Sequence, residues 1–199
     1  RESNYLGTIK LTSVKSIGKG DLPYTSPKDA NMIGFSEMGE WLLVEAEDDS
    51  IVKRLDYMMD TDGSAGKYVM RNCIARDTIM RGILSQNWNG VIENCEFSNV
   101  GSQGVSLMGE TNCAQGPYAR DIVIKGCKFE NCGYGGVSGG MFTPPPVINT
   151  EIAESGLSNA NIVVDGCYFT DNYGHDIKIG NTKNAIITNN IFGKRNDYT

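Results

Sequence analysis

With a single histidine in 199 residues, the chain cannot build a metal centre from several imidazoles, and it has no Cys-x-x-Cys pair to act as a thiolate clamp. Proline is scarce, at six residues, which argues against a disordered proline-rich linker. Basic residues are outnumbered, 18 Lys and Arg against 24 Asp and Glu, for a net charge of −6. That is the wrong sign for a surface that neutralises phosphates or settles on anionic lipid, so neither nucleic acid nor membrane insertion is expected. No stretch approaches the run of about eighteen apolar residues that a membrane-spanning helix needs, and Arg1 to Lys10 lack the apolar segment of a secretory leader. What the sequence has instead is turn formers, 24 glycines and 18 asparagines. Glycine adopts positive φ without steric cost and asparagine tolerates it, so the composition describes many short strands joined by tight turns.

One unit recurs five times in the second two thirds of the chain. Its copies are Tyr68-Val-Met-Arg-Asn-Cys73-Ile-Ala75, Gly90-Val-Ile-Glu-Asn-Cys95-Glu-Phe97, Ile122-Val-Ile-Lys-Gly-Cys127-Lys-Phe129, Ile162-Val-Val-Asp-Gly-Cys167-Tyr-Phe169 and Ala185-Ile-Ile-Thr-Asn-Asn190-Ile-Phe192. Each is a strand of period two, a polar corner and a second inward position. Cys73 to Cys95 is 22 residues, and the later intervals of 32, 40 and 23 are this period with loops added. Further short strands begin nine residues past each cysteine, at Gly82, Gly104, Gly136 and Asp176. That constant offset predicts that all insertions follow this strand and gather on one side. A single coil cannot bury its own apolar side chains, but coils stacked at about 4.8 Å can, which argues for a parallel β-helix. Period two then places Ile83, Val105, Val137 and Ile177 in one inward ladder and Ala75, Phe97, Phe129, Phe169 and Phe192 in another. Cys73, Cys95, Cys127 and Cys167 form a third, in which Asn190 takes the last place with an amide able to bond along the column.

Residues 1–62 do not show the repeat. Alternation in Gly7 to Thr12, Trp41 to Ala46 and Ser50 to Tyr57 describes a small antiparallel β module with Glu47-Asp48-Asp49 as a hairpin turn, followed by the coil over residues 63–199. Four of the six cysteines sit at one inward place, where Cys behaves as a small hydrophobe. Cys113 and Cys132 fall outside that register and are the two expected to bridge or react.

Candidate chemistry gathers beside the loops. Leu84, Ser106, Ser138 and Lys178 form an outward row, and the neighbouring Gly82, Gly104, Gly136 and Asp176 suggest a shallow trough suited to an extended carbohydrate. Hydrolysis of a glycosidic bond needs two carboxyl groups in different protonation states. Asp176 and Glu151 are the candidate pair, with Glu110 in reserve, while Arg81, His175 and Lys178 could bind sugar hydroxyls. Trp88, Tyr118, Tyr134 and Tyr173 offer aromatic faces for sugar rings. No cofactor or metal is called for.

Val91 to Phe97, Ile122 to Phe129 and Ile186 to Phe192 resemble the right-handed parallel β-helix superfamily, whose repeat reads apolar-x-apolar-x-Asn-Asn-x-Phe. The resemblance covers about residues 67–193 and implies an all-β fold of about five rungs with the N-terminal module attached. Within that group, Arg81 to Asn94 followed by Gly116-Pro-Tyr-Ala-Arg-Asp-Ile122 look most like bacterial α-1,3-galactosidases. Such a relationship implies inverting hydrolysis of terminal α-galactosyl groups without a cofactor, an oligosaccharide or polysaccharide as partner, and a secreted, periplasmic or cell-surface location. Ala114 and Gln115 stand where that pattern has an acid, which favours the alternative of a noncatalytic carbohydrate-binding or adhesion module. A third expectation is a fragment of a larger β-helix, self-associating through an uncapped end.

Overall fold

The structure, a computed structural model, describes residues 9–18, 41–48, 50–51, 66–109, 117–138, 141–150 and 158–196. The repeated apolar segments become Tyr68–Arg71, Trp88–Glu93, Arg120–Lys125, Asn159–Asp165 and Thr182–Thr188, hydrogen-bonded in chain order as one parallel sheet. The segments around the cysteines continue into a second sheet of Ile74–Thr78, Glu96–Val100, Lys128–Cys132, Tyr168–Thr170 and Ile191–Phe192. A third holds Ile83–Leu84, Val105–Ser106, Ile148–Asn149 and Ile177–Lys178. Each sheet takes one strand per turn, so the chain winds through three sheets before stacking on itself. Separately, Leu11–Gly18 pairs antiparallel with Trp41–Ala46 in a second compact unit. Beyond that pair, the Asp48 carboxylate accepts the Ser50 N–H at 2.9 Å in a turn, and residues 52–57, the rest of the third strand expected there, lie outside the described residues.

Parallel in-register pairing sets each residue on its counterpart in the next coil. Ala75, Phe97, Phe129, Phe169 and Phe192 form the expected inward row. Their rings stack at centroid distances of 4.9, 4.9 and 5.4 Å. Burying each large side chain contributes about 1.5–3 kcal/mol, to which an aromatic pair adds about 0.5–1.5 kcal/mol. Met70, Ile92, Ile124, Val164 and Ile187 form the parallel aliphatic row, its middle three members fully buried. The cysteine column also forms, and Asn190 closes it as expected: its Oδ1 accepts the Cys167 N–H at 2.9 Å, and its Nδ2 donates to the Val164 carbonyl at 3.0 Å.

The corners need positive φ, where asparagine, aspartate and glycine are tolerated. Asn72, Asn94, Gly126, Gly166 and Asn189 supply it between the first and second sheets, with φ of 52–62°. Asp77, Asn99, Asn131 and Asp171 do so at the end of the second sheet, with φ of 52–56°.

Two expectations are corrected. In the third coil the inward place belongs to Ile148, paired with Val105 and Ile177, and not to Val137. Val137–Ser138 instead pairs antiparallel with Met141–Phe142, so Asn149 replaces Ser138 in the outer row. A constant offset from the cysteine had concealed an excursion that leaves the coil one corner earlier. Gly82 and Gly104 do not line an open trough either. A Cβ on Gly82 would stand 2.8 Å from a Phe97 ring carbon, and one on Gly104 2.8 Å from Phe129, so the missing side chains make room for the ring stack. In the outer row Ser106 is fully buried and Asn149 buried, whereas Leu84 is exposed and Lys178 half-buried.

Replacing Phe129 by Ala removes the middle of the stack and is expected to cost about 3–5 kcal/mol in urea unfolding. Gly104→Ala, which thrusts a methyl group into the Phe129 ring, is expected to cost about 1–3 kcal/mol with no change in buried polar groups.

Candidate functional site

Among the described residues, the corner at the end of the second sheet forms a shallow groove whose floor repeats in register. Asp77, Asn99, Asn131 and Asp171, each four residues past a cysteine of the repeat, occupy equivalent positive-φ places on four successive coils. Stacking joins the first three side chains: Asn131 Nδ2 donates to Asn99 Oδ1 at 2.8 Å, and Asn99 Nδ2 donates to Asp77 Oδ1 at 2.9 Å. Each primary amide has two hydrogens and two lone pairs, so Asn99, which uses one of each, keeps one donor and one acceptor, and Asn131, which uses one hydrogen, keeps one donor and both lone pairs. Tyr134 and Tyr173 complete the lining of a shallow depression of about 450 Å³ above Asp77, Asn99 and Asn131. Tyr134 reaches back across two coils, its hydroxyl donating to the Thr78 carbonyl at 3.3 Å, and Gly135 donates its N–H to the Gly101 carbonyl at 2.7 Å. Those contacts hold an exposed aromatic side chain in place along the groove.

Charges beside the rail occur in matched pairs. Arg76 Nε lies 3.7 Å from Asp77, Lys128 Nζ 2.6 Å from Glu130, and Lys194 Nζ 3.9 Å from Asp171. The Glu130 carboxylate raises the Lys128 ammonium above its ordinary value. On the first sheet, Arg71, Glu93, Lys125 and Asp165 form a second alternating row, in which hydrogen bonds from Lys125 and Arg71 lower the Glu93 carboxyl.

The residues expected to act together separate into distinct places. Tyr134 and Tyr173 share the groove. Trp88 and Tyr118 meet at the start of the first sheet, where Trp88 Nε1 donates to the Tyr118 carbonyl at 2.9 Å and the Arg120 guanidinium lies 5.5 Å from the Trp88 ring centre. Arg81 lies at the turn before Ile83–Leu84, and Lys178 ends the third-sheet strand of the last full coil. His175 is exposed and its carbonyl accepts the Val147 N–H at 2.8 Å. Asp176 occupies the row of Gly104 and the fully buried Val147. It is therefore half-buried at the end of the core, where Asn172 Nδ2 donates to its Oδ1 at 2.9 Å. Burial pushes its carboxyl above the ordinary aspartate range, against opposing contributions from the Asn172 bond, Arg195 and His175. Glu151 and Glu110 lie outside the described residues.

Cys132 is not outside the inward register. It pairs with Val100, is fully buried, and donates its N–H to Asn172 Oδ1 at 2.9 Å; burial pushes its thiol up to about 12. Cys127 is pushed up by the hydrogen bond shared with Cys167 and by burial. Cys113 lies outside the described residues, and the other five cysteines are free thiols. Among the described residues no group of three or more His, Cys, Asp or Glu is arranged to hold a metal ion.

Asp176 ties stability to pH. Its folded value exceeds the unfolded one, so the stabilisation it lends is complete below about pH 4 and is lost as pH rises through the raised value. Asp176→Asn, which keeps an oxygen for Asn172, is expected to melt at a higher temperature than the parent at pH 7 and at the same temperature below about pH 4. Native labelling with iodoacetamide at pH 8 is expected to modify Cys73 and spare Cys95, Cys127, Cys132 and Cys167 until denaturant is added; native modification of Cys132 would contradict its assignment to the core.

No curated protein and no solved structure matches the chain. A family model described as the right handed beta helix region matches residues 62–199, which is more than half of the sequence and includes every strand of the three parallel sheets. Together with the in-register sheets and positive-φ corners, this match establishes that the chain belongs to the right-handed β-helix family.

Proposed function

We propose that the protein binds carbohydrate along the groove floored by Asp77, Asn99 and Asn131 and flanked by Tyr134 and Tyr173. The observation that carries this reading is the pair of amides of Asn99 and Asn131 on successive coils, each keeping a donor and an acceptor that the rail does not use. A sugar hydroxyl both donates and accepts, so a row of hydroxyls can engage the rail without either side carrying charge. The tyrosines add aromatic faces for the apolar side of a sugar ring. An extracellular, periplasmic or cell-surface location suits such a ligand, and thiols buried in the core would survive there unbridged.

A second reading, hydrolysis of terminal α-galactosyl groups, is favoured by Asp176, because a carboxyl held above its ordinary range is what a general acid requires. Its partner would be Glu151 or Glu110. The rail's own acids do not serve. Asp77 and Asp171 are three coils apart, about 14 Å at 4.8 Å per coil, whereas paired glycosidase carboxyls stand about 5–9.5 Å apart.

Titration calorimetry of the folded chain against a panel of oligosaccharides is expected to detect binding that Tyr134→Ala weakens by about tenfold or more, equivalent to about 1.4 kcal/mol. Equal affinity in that variant would remove the groove from the reading. For hydrolysis, release of α-linked galactose should vanish in Asp176→Asn and in Glu151→Gln; unchanged turnover in both variants would reject the pair.

A further inference from the structure

We infer that the outer face of the first sheet is an interface between two copies of this chain, which meet face to face with their coil axes antiparallel. The face shares no residue with the groove, and the inference does not depend on the carbohydrate reading. Val69, Val91, Val123, Val163 and Ile186 pair in register down the middle of this face, alternating with the inward row of Met70 and Ile92. Val69 is 55% exposed and Ile186 56%. An apolar residue repeated at one outward place on successive coils makes a continuous stripe, the kind of surface that burial against a partner stabilises.

Charge along the border of the stripe selects the partner. Arg71, Glu93, Lys125 and Asp165 stand two residues past the valines on their strands and read plus, minus, plus, minus along the coil axis. Within one copy, Arg71 Nε lies 2.5 Å from the Glu93 carboxylate and Lys125 Nζ 2.7 Å from it. The Arg71 and Lys125 side chains nevertheless stay 59% and 44% exposed, enough to meet a second carboxylate from outside.

A row of this pattern is its own complement when reversed. A two-fold axis running along the strands, between the second and third coils, turns one copy over onto the other and sets each row against itself. The first coil then meets the fourth and the second meets the third. Arg71 faces Asp165 of the second copy and Glu93 faces its Lys125, each contact occurring twice by symmetry. The stripe meets in the same order, Val69 on Val163 and Val91 on Val123. On the other border Lys67 meets Asn161 and Asn89 meets Asp121, so no like charges oppose one another there. Neighbouring registers fail. An axis centred on the second coil sets Glu93 on Glu93 and Arg71 on Lys125, and one centred on the third sets Lys125 on Lys125 and Glu93 on Asp165. With the coil axes parallel instead, Arg71 meets Lys67. Like charges across the interface suppress all three alternatives.

The footprint is small. Four coils at about 4.8 Å and five residues at about 3.3 Å span about 19 by 17 Å, well below the roughly 800 Å² per partner of a standard interface, so the association is weak. Sedimentation equilibrium of the full chain is expected to show a reversible monomer–dimer equilibrium with a dissociation constant of about 10 µM to 1 mM. Val123→Lys, which carries a cation into the stripe against Val91 of the second copy, is expected to weaken the dimer about tenfold or more. Arg71→Glu and Asp165→Arg each oppose like charges twice, and each alone is expected to weaken it about tenfold or more. Mixed in equal amounts, one copy of each restores opposite charges at both ends of the row, and the mixture is expected to dimerise within about threefold of the parent. Circular dichroism in dilute solution checks that the variants are folded; if a charge variant is not, Val123→Lys and the parent's own equilibrium decide. A parent that stays monomeric up to about 1 mM or assembles beyond a dimer, which a two-fold contact cannot build, would overturn the inference. So would a dimer indifferent to Val123→Lys, or a mixture that associates no better than its two components.

Discussion

In-register stacking is the constraint from which the molecule's other features follow. A parallel coil whose strands pair without offset places every side chain against its counterpart one turn away, so a residue type is acceptable only if it packs against copies of itself or a close substitute. Phenylalanine meets this condition through offset rings, as the stack from Phe97 to Phe192 illustrates. Isoleucine and valine do so by apolar contact, and cysteine does so as a compact apolar thiol in the column ending at Cys167. Charged residues meet it only by alternating in sign, and the row of Arg71, Glu93, Lys125 and Asp165 does so. Asparagine has donors and acceptors on one group and therefore repeats without alternation. Cores and surface rows obey the same rule with different chemistry.

Much of this was legible in the sequence. The Cys-x-Phe spacing identified the coil, the inward rows and the role of Asn190, because these depend on local period and on positions that recur at fixed distance from a cysteine. The third coil was misread for a physical reason: Gly136-Val137-Ser138 has the composition of a third-sheet strand and the expected offset, but it pairs with Met141–Phe142 in a hairpin. Local pattern cannot distinguish a strand that joins the stack from one that pairs with its own neighbour. The Pro144-Pro-Pro146 segment returns the chain to Val147 and so precedes the third-sheet strand Ile148–Asn149.

The candidate site was less legible. Tyr134 and Tyr173 stand out in the sequence because aromatics near loops invite the reading, but the rail beneath them does not. Its signal was present, since Asp77, Asn99, Asn131 and Asp171 each lie four residues past a repeat position. Corner residues read as turn formers in sequence, and nothing in a turn propensity says that turns on successive coils share hydrogen bonds. Asp176 illustrates the opposite error. Its neighbours in the row suggested an open surface, yet glycine had been selected there by the bulk of the phenylalanines beneath, so a carboxylate in that row points toward the core's end rather than into a trough.

The interval from Cys73 to Cys95 contains a complete turn with no excursion, and it begins and ends at the same place in every row. A turn of this kind is a unit of heredity as much as of structure. Duplicating or deleting it leaves the path of the chain through the three sheets unchanged; it changes how many coils, and so how many rail positions, stand in line. The length of the exposed groove can therefore change during evolution in whole steps by recombination between equivalent codons, without passing through an intermediate whose core is misaligned.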